Sequence, residues 1–78
     1  MYYRDDKYLK KFGANLKKIR TEKGISQEEL ANDLGFSQPY IVKVESGTVN
    51  LSISHVVALA KRLKITPSVL VDYYKKAT

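Results

Sequence analysis

Cysteine and tryptophan are absent from this sequence of 78 residues, which also has only one histidine and two prolines. Without cysteine there are no disulfide bonds, and one histidine cannot form the ligand cluster that a structural zinc ion needs. Nothing in the sequence indicates a metal, a cofactor or a small-molecule ligand. Stability must therefore come from packed side chains or from a second copy of the chain.

Long hydrophobic runs are also absent, although 44% of the residues are hydrophobic. No apolar stretch approaches the roughly 20 residues that a membrane-spanning helix requires. Residues 1–11 are charged and rich in tyrosine, whereas a signal peptide has an apolar centre. We therefore expect a cytoplasmic protein that has no membrane partner.

The length predicts a single domain over residues 1–78, because so short a chain buries only about 60% of its unfolded surface and cannot support two cores. The residue types of catalysis are scarce as well. There is no cysteine nucleophile, and the acids are expected at helix caps, on helix surfaces or in an ion pair. The sequence offers no second metal ligand and no nucleophile that would act with His55. We expect that the protein is not an enzyme and that His55 faces solvent or caps a helix.

Positive charge is concentrated at the two ends of the chain. The net charge of +6 divides into +5 for residues 1–23, −3 for residues 24–60 and +4 for residues 61–78. A positive protein suits a polyanionic partner such as nucleic acid. Because the middle of the chain is acidic, charge alone does not identify a DNA-binding element, and lysine-rich helices also occur simply as solvated surfaces.

Apolar residues recur at steps of three and four, which is the spacing of amphipathic helices, and no segment alternates as a strand would. The first helix carries an apolar stripe from Leu9 to Ile19 and ends near Gly24. The second begins at Ser26, whose hydroxyl can accept the N–H of Glu29. It ends at Gly35 after about two turns, because glycine adopts the left-handed conformation readily.

Three more helices follow the same logic. Ser37 is the predicted cap of a third helix that ends at Gly47, with Pro39 in its first turn, where proline removes no helical hydrogen bond. Ser52 is the predicted cap of a fourth helix. A fifth helix, over about 67–76, begins at the Thr-Pro pair of residues 66–67.

The second and third helices are the informative pair. A two-turn helix that ends at glycine and is joined by a short turn to another capped helix is typical of helix-turn-helix DNA-binding proteins. In those proteins the second helix of the pair enters the major groove. On geometry alone, the same arrangement also fits a corner between two helices in any bundle.

The residue types favour the DNA-binding motif over a simple corner between two helices. Residues 26–31 (SQEELA), 34–35 (LG) and 40–47 (YIVKVESG) closely resemble the Cro/C1-type, or xenobiotic-response-element, family of helix-turn-helix domains. The resemblance runs from about residue 12 to residue 70. It implies an all-α, five-helix, lambda-repressor-like domain with the helix-turn-helix at helices 2–3. Family members are commonly dimeric transcriptional regulators on palindromic operators, so the implied partners are double-stranded DNA and a second copy of the chain.

Within that family the chain looks most like the stand-alone controller proteins of restriction-modification systems, which share its short length and the Tyr-Ile pair before the glutamate. Stand-alone phage, plasmid and antitoxin regulators are also similar. An antitoxin or protein-interaction module with the same fold is therefore the alternative function. The dependence of DNA affinity on salt would distinguish the two, because phosphate contacts give a steep negative slope.

The resemblance implies base contacts from the third helix. Gln38 lies where family members place a base-contacting side chain, and glutamine can bind adenine N6 and N7 together. Lys43, further along the groove-facing side, could contact a guanine or a phosphate. Pro39 has no polar side-chain atom, so it can offer only an apolar contact, for instance with a thymine methyl group.

The resemblance also implies contacts with the DNA backbone. Gln27 matches a family position that binds phosphate at the start of the second helix. The family often has Arg or Lys just after Gly47, whereas this chain has Thr48-Val49-Asn50. Either lysines or arginines near the first helix supply the missing attraction, or DNA binding is weaker than is usual for the family. The residues predicted to contact the backbone are Gln27, Ser37, Tyr40, Asn50 and Lys17, with Lys18, Arg20 and Lys23 as further sources of charge.

Two structural roles complete the prediction. Arg20 and Glu45 match a pair that in relatives joins the first helix to the end of the third as an ion pair. The fifth helix has more apolar surface than a terminal helix needs, since Val69 with Tyr73 and Leu70 with Tyr74 form two i, i+4 pairs. We therefore expect a homodimer formed mainly through Val69, Leu70, Tyr73 and Tyr74, with help from the fourth helix. The alternative is that the tyrosines lie over the core of the monomer with their hydroxyls in water.

Overall fold

A computed structural model describes residues 4–71, and these residues form five α-helices and no strand. The predicted all-α class with five helices is therefore confirmed. None of these helices is long and apolar enough to cross a membrane. Residues 72–76 of the predicted fifth helix lie outside the described residues. The helices are α1 (Asp6–Glu22), α2 (Gln27–Leu34), α3 (Gln38–Ser46), α4 (Ile53–Arg62) and α5 (Pro67–Val71).

The helix starts are those that the serines predict. Ser26, Ser37 and Ser52 each accept the backbone N–H of the residue three positions later, at 2.9, 3.2 and 3.2 Å. These bonds satisfy N–H groups that have no partner inside their own helix. The turn between α2 and α3 is short because Gly35 ends α2 in the left-handed conformation, with φ of 72°. Two short helices are thus joined at a fixed angle.

The core lies where the five helices meet. Every helix contributes at least one side chain to the core. Helix α3 contributes Ile41 and Val44 from its inner side, and α5 contributes Leu70. Burial of these apolar groups is the main favourable term in folding. The buried apolar side chains of this cluster are Phe12, Leu16, Leu30, Ala31, Ile41, Val44, Leu59, Ala60, Leu63 and Leu70.

Helices α1 and α3 approach unusually closely at two glycines. A Cβ atom on Gly13 would lie 2.5 Å from the carbonyl oxygens of Val44 and Glu45. A Cβ atom on Gly47 would lie 2.6 Å from the Cα of Lys10, and φ of Gly47 is 78°. Both distances are well inside van der Waals contact, so only glycine fits. The last turn of α3 is consequently held against the backbone of α1.

Helix α5 is fixed by hydrogen bonds from α1 to its carbonyl oxygens. The side-chain amide of Asn15 donates to Leu70 O at 2.6 Å, and the hydroxyl of Tyr8 donates to Val71 O at 2.7 Å. Carbonyl groups in the last turn of a helix have no partner within it, so these donors satisfy them. They therefore fix the position of α5 against α1.

Candidate nucleic-acid interface

The outward face of α3 is a continuous exposed surface made by four residues, Gln38, Pro39, Val42 and Lys43. All four are exposed, and together they line an open depression of about 360 Å³. Their spacing of three and four positions places them on one side of the helix. We call this surface the outward face of α3. It offers an amide, an ammonium group and two apolar side chains, and it carries no acid.

The inward face of α3 is completely different. Ile41 and Val44 have no accessible surface, and Glu45, the only acid of the helix, is 9% exposed. The helix therefore separates its residues sharply: apolar side chains and the carboxylate face the core, and the groups that could contact bases face solvent.

Glu45 is bound by a network of buried and half-buried donors. Arg20 on α1 donates from Nε to Glu45 Oε2 at 2.6 Å and from Nη2 to Oε1 at 3.1 Å. The third guanidinium nitrogen, Nη1, donates to the carbonyl oxygen of Ile25 at 2.7 Å. This two-bond geometry restricts rotation as well as distance. It fixes the end of α3 relative to α1, and it occupies Arg20, whose side chain is 8% exposed and has little surface left for phosphate.

Gln27 belongs to the same network. Its amide nitrogen donates to Glu45 Oε1 at 2.9 Å. A side-chain amide has two N–H donors and a carbonyl acceptor, so one donor and the acceptor remain for other contacts. The predicted contact between Gln27 and the DNA backbone stays a prediction. The network adds that Gln27 is oriented by the same carboxylate that fixes α3.

Tyr40, His55 and Phe36 form an aromatic cluster between α3 and α4. The Tyr40 hydroxyl lies 2.7 Å from His55 Nδ1, and the ring centres of Phe36 and His55 are 4.7 Å apart. The imidazole of His55 is half-buried and packed on both rings, so the expectation that it faces solvent or caps a helix is wrong for the side chain. Only its backbone N–H takes part in a cap.

Burial raises the pKa of the Tyr40 hydroxyl above its ordinary value of 10.0. The direction of the bond between Tyr40 and His55 depends on the tautomer of His55. If Nδ1 accepts, the single hydroxyl proton of Tyr40 is used by His55, and if Nδ1 carries the proton and donates it, the hydroxyl proton is left for a phosphate. The predicted phosphate contact of Tyr40 stays a prediction.

The other residues predicted to contact the DNA backbone lie at the surface. Ser37 is exposed, but its hydroxyl accepts the N–H of Tyr40 as a cap, as noted above. Lys17 is exposed on α1, and Asn50 is exposed in the loop that joins α3 to α4. No metal site accompanies them, since residues 4–71 contain no group of three or more metal-ligating side chains.

Exposed apolar side chains of α4 and α5 are the candidates for the predicted dimer contact. Val69 is 50% exposed, as a dimer contact requires, whereas Leu70 is fully buried in the monomer. The prediction that Leu70 contacts a partner is therefore wrong, because the core already covers its side chain. Ile53 at the start of α4 is 79% exposed, although it was not among the residues predicted as dimer contacts. Tyr73 and Tyr74 lie outside the described residues.

An apolar groove of about 320 Å³ lies between the start of α1, the start of α4 and the end of α5, and Ile53, Val56 and Val71 are among the side chains that line it. Val69 is exposed on α5 but does not line the groove. We use the name α4–α5 surface for Ile53, Val69 and this groove together, as the exposed apolar groups of α4 and α5. None of these residues belongs to the outward face of α3.

Sequence reasoning missed Val42 and Ile53 for different reasons. Val42 directly follows the buried Ile41 in an apolar pair, and only the helical register indicates that it faces outward. Ile53 follows the cap Ser52, and its spacing of three from Val56 is that of the inward face of the fourth helix, but its position in the first turn leaves it exposed.

Comparison with known proteins identifies the same motif. A model of the helix-turn-helix family matches residues 16–70 of the chain. Control protein C.BamHI of Bacillus amyloliquefaciens is 35% identical over 63 residues, which are 80% of this chain and 78% of the relative.

Two solved structures extend the similarity to the fold. The restriction-modification controller protein C.AhdI of Aeromonas hydrophila has a TM-score of 0.77 at 44% identity, over 80% of this chain and 94% of that chain. The controller C.Esp1396I, solved as a tetramer with its natural operator of 35 base pairs, has a TM-score of 0.76 at 33% identity, over 85% of this chain and 87% of that one. The chain therefore belongs to the helix-turn-helix family of DNA-binding transcriptional regulators.

Proposed function

We propose that the protein is a controller-type transcriptional regulator that binds a palindromic operator as a homodimer. Helix α3 lies in the major groove, where Gln38 and Lys43 contact bases, and Gln27, with exposed groups of α1, contacts phosphate. Because the proposed partner is chromosomal or plasmid duplex DNA, the protein acts in the cytoplasm, by binding and not by catalysis.

The outward face of α3 is the observation that carries this proposal. It presents an amide and an ammonium group with no acid between them, on a helix whose inward side is fixed by Glu45 and two buried aliphatic side chains. A bidentate amide contact with adenine and a cationic contact with guanine or phosphate both require such fixed orientation. Three of the four acids of residues 24–60 are paired, since Glu45 bonds to Arg20, and Glu29 and Asp33 both face Arg62. The fourth, Glu28, is exposed on α2 and does not belong to the outward face of α3.

The α4–α5 surface supports the homodimer. Ile53 and Val69 are large exposed apolar side chains, and Ile53 also lines the apolar groove. A second copy related by a two-fold axis can cover both side chains. Such pairing would direct both copies of α3 to the same side, with major-groove contacts about 34–36 Å apart.

The controller subfamily is inferred from the relatives, whose names describe C.BamHI, C.AhdI and C.Esp1396I as control or controller proteins. It predicts an endonuclease gene and a methyltransferase gene beside the gene of this protein. An adjacent toxin gene would favour the antitoxin alternative.

Selection from a pool of randomised duplexes, followed by titration of the enriched duplex at several salt concentrations, tests DNA binding. We expect an inverted repeat to be enriched. Each neutralised phosphate should contribute a slope of roughly −0.9 in the plot of log affinity against log salt. An enriched pool without any shared sequence, or a flat salt dependence, would contradict the proposal and favour a protein-interaction role.

Sedimentation equilibrium tests the dimer. We expect the wild type to dimerise at tens of micromolar and Val69→Asp or Ile53→Asp to be monomeric, because each places a carboxylate in the α4–α5 surface. Both side chains are exposed in the monomer, so neither change should unfold it. Asn32→Asp, an exposed change on α2, is the matched control and should remain dimeric. Dimeric Asp variants would exclude the α4–α5 surface as the interface.

A further inference from the structure

Two apolar side chains stand side by side on the outward face of α3. Pro39 and Val42 are three positions apart, and both are exposed, with 45% of Val42 accessible. Gln38 and Lys43 flank them in the same depression. We call Pro39 and Val42 the apolar pair. It lies in the middle of the surface that is proposed to contact bases.

The core does not need the apolar pair. The inward positions of α3 are already filled by Ile41 and Val44, which have no accessible surface. Valine is also a weaker helix former than alanine, so an exposed valine gains nothing for the helix itself. Val42 is therefore available for a contact outside the protein.

The size and surroundings of the pair indicate what that contact is. A stable protein interface covers about 800 Å² on each partner, far more than two side chains between an amide and an ammonium group. In the major groove, by contrast, the thymine C5-methyl group is the apolar feature that distinguishes a base pair. A methyl group set among hydrogen-bonding base edges and phosphates matches an apolar pair set between Gln38 and Lys43.

We infer that Pro39 and Val42 form a contact site for the C5-methyl group of a pyrimidine, so that Val42 contributes to operator specificity. This inference rests on the proposed function, since it requires α3 to lie in the major groove. It adds a chemical consequence. Because 5-methylcytosine carries its methyl group at the same ring position as thymine, the apolar pair favours either base over its unmethylated counterpart.

Atom-level substitution in the DNA gives a direct test. Each thymine of the enriched half-site is replaced in turn by deoxyuridine, which removes only the C5-methyl group and keeps base pairing. We expect wild-type affinity to fall about fourfold at one or two positions, the factor for losing burial of one methyl-sized group. At a sensitive position rebuilt as a C·G pair, 5-methylcytosine should bind more tightly than cytosine by a similar factor.

The variant Val42→Ala assigns the effect to this residue. It should lower affinity for the thymine duplex and lose the difference between thymine and deoxyuridine at one position. Alanine is favoured in helices and Val42 is exposed, so an unchanged melting temperature is expected and serves as the control for folding.

The outcomes separate the inference from the function on which it rests. If the wild type bound every deoxyuridine duplex as tightly as the thymine duplex, the methyl contact would be wrong while DNA binding stood. The same conclusion would follow for Val42 if Val42→Ala kept the full deoxyuridine effect at every position. If no duplex were enriched at all, the proposed function itself would fail.

Discussion

The two faces of α3 are built in opposite ways. On the inward face, Glu45 accepts three hydrogen bonds from Arg20 and Gln27, and the backbone of the last turn lies against Gly13 without room for a Cβ atom. On the outward face, Gln38 and Lys43 are exposed, and within residues 4–71 their side chains have no hydrogen-bond or ion-pair partner. Contacts within the protein fix the inward face, whereas the side chains of the outward face are available to a ligand.

This difference separates stability from specificity along a single helix. Removing an inward contact leaves a buried donor or acceptor unpaired, which costs the desolvation energy of that group. Changing an outward side chain alters only what the helix can contact in the major groove. Substitutions on the inward face should therefore change stability and DNA affinity together, and those on the outward face should change affinity alone.

The largest effect is expected for Arg20→Ala. It leaves the Glu45 carboxylate buried with only the amide of Gln27, and breaking such a pair costs about 3–5 kcal/mol of the free energy of unfolding. DNA affinity should fall as well, because the ion pair that orients the end of α3 relative to α1 is lost. Urea unfolding followed by circular dichroism, together with titration of the enriched duplex, measures both quantities.

Arg62→Ala is the matched control for Arg20→Ala. Arg62 pairs with Asp33 and Glu29, but its side chain is 26% exposed and its partners are more exposed still. A pair of this kind contributes about 1 kcal/mol or less. If Arg20→Ala unfolded at the wild-type urea concentration and lost only affinity, with the greatest loss at low salt, Arg20 would contact phosphate directly and the inward network would not stabilise α3.

An intermediate effect, confined to affinity, is expected for Gln38→Ala. Loss of a bidentate base contact should cost about 1–3 kcal/mol of binding and relax the preference at one base pair of each half-site. The melting temperature should not change, because Gln38 is exposed. Asn32→Ala removes an exposed amide from α2 and should leave both quantities unchanged. Wild-type selectivity in Gln38→Ala would remove this residue from base contact.

Helix bounds could be predicted from the sequence because local chemistry specifies them. Serine caps and glycine ends act over three or four residues, and all three serine caps predicted for the second, third and fourth helices are present. The close approach at Gly13 could not be predicted in the same way. A glycine within a helix has no local signal for what lies opposite, and only the packing of α1 on α3 makes a Cβ atom impossible there.

The site was predictable in its residue types and less so in its contacts. The positions of Gln38, Pro39 and Lys43 follow from helical spacing and family resemblance. The bond between Tyr40 and His55 joins residues 15 positions apart on different helices, and neither residue alone indicates it. Leu70 was misplaced because helical spacing identifies an apolar face without saying whether the monomer core or a partner covers it.

The smallest effect concerns Tyr40, which lies at the border between the two faces. Burial raises its pKa above 10.0, so the folded protein favours the neutral hydroxyl. The stabilisation associated with this shift is fully present below the unfolded pKa of about 10 and is lost as the pH rises through the higher folded pKa. The free energy of unfolding of the wild type should therefore fall more steeply above about pH 10 than that of Tyr40→Phe, which has no group to ionise there. Since all other tyrosines and lysines are common to both proteins, the difference between the two urea-unfolding curves isolates Tyr40.

At neutral pH the difference in free energy of unfolding between wild type and Tyr40→Phe should be a constant offset of about 1 kcal/mol for the lost bond to His55. A difference that stays constant through pH 10 would mean that Tyr40 is solvated, and the border residue would then belong to the outward face.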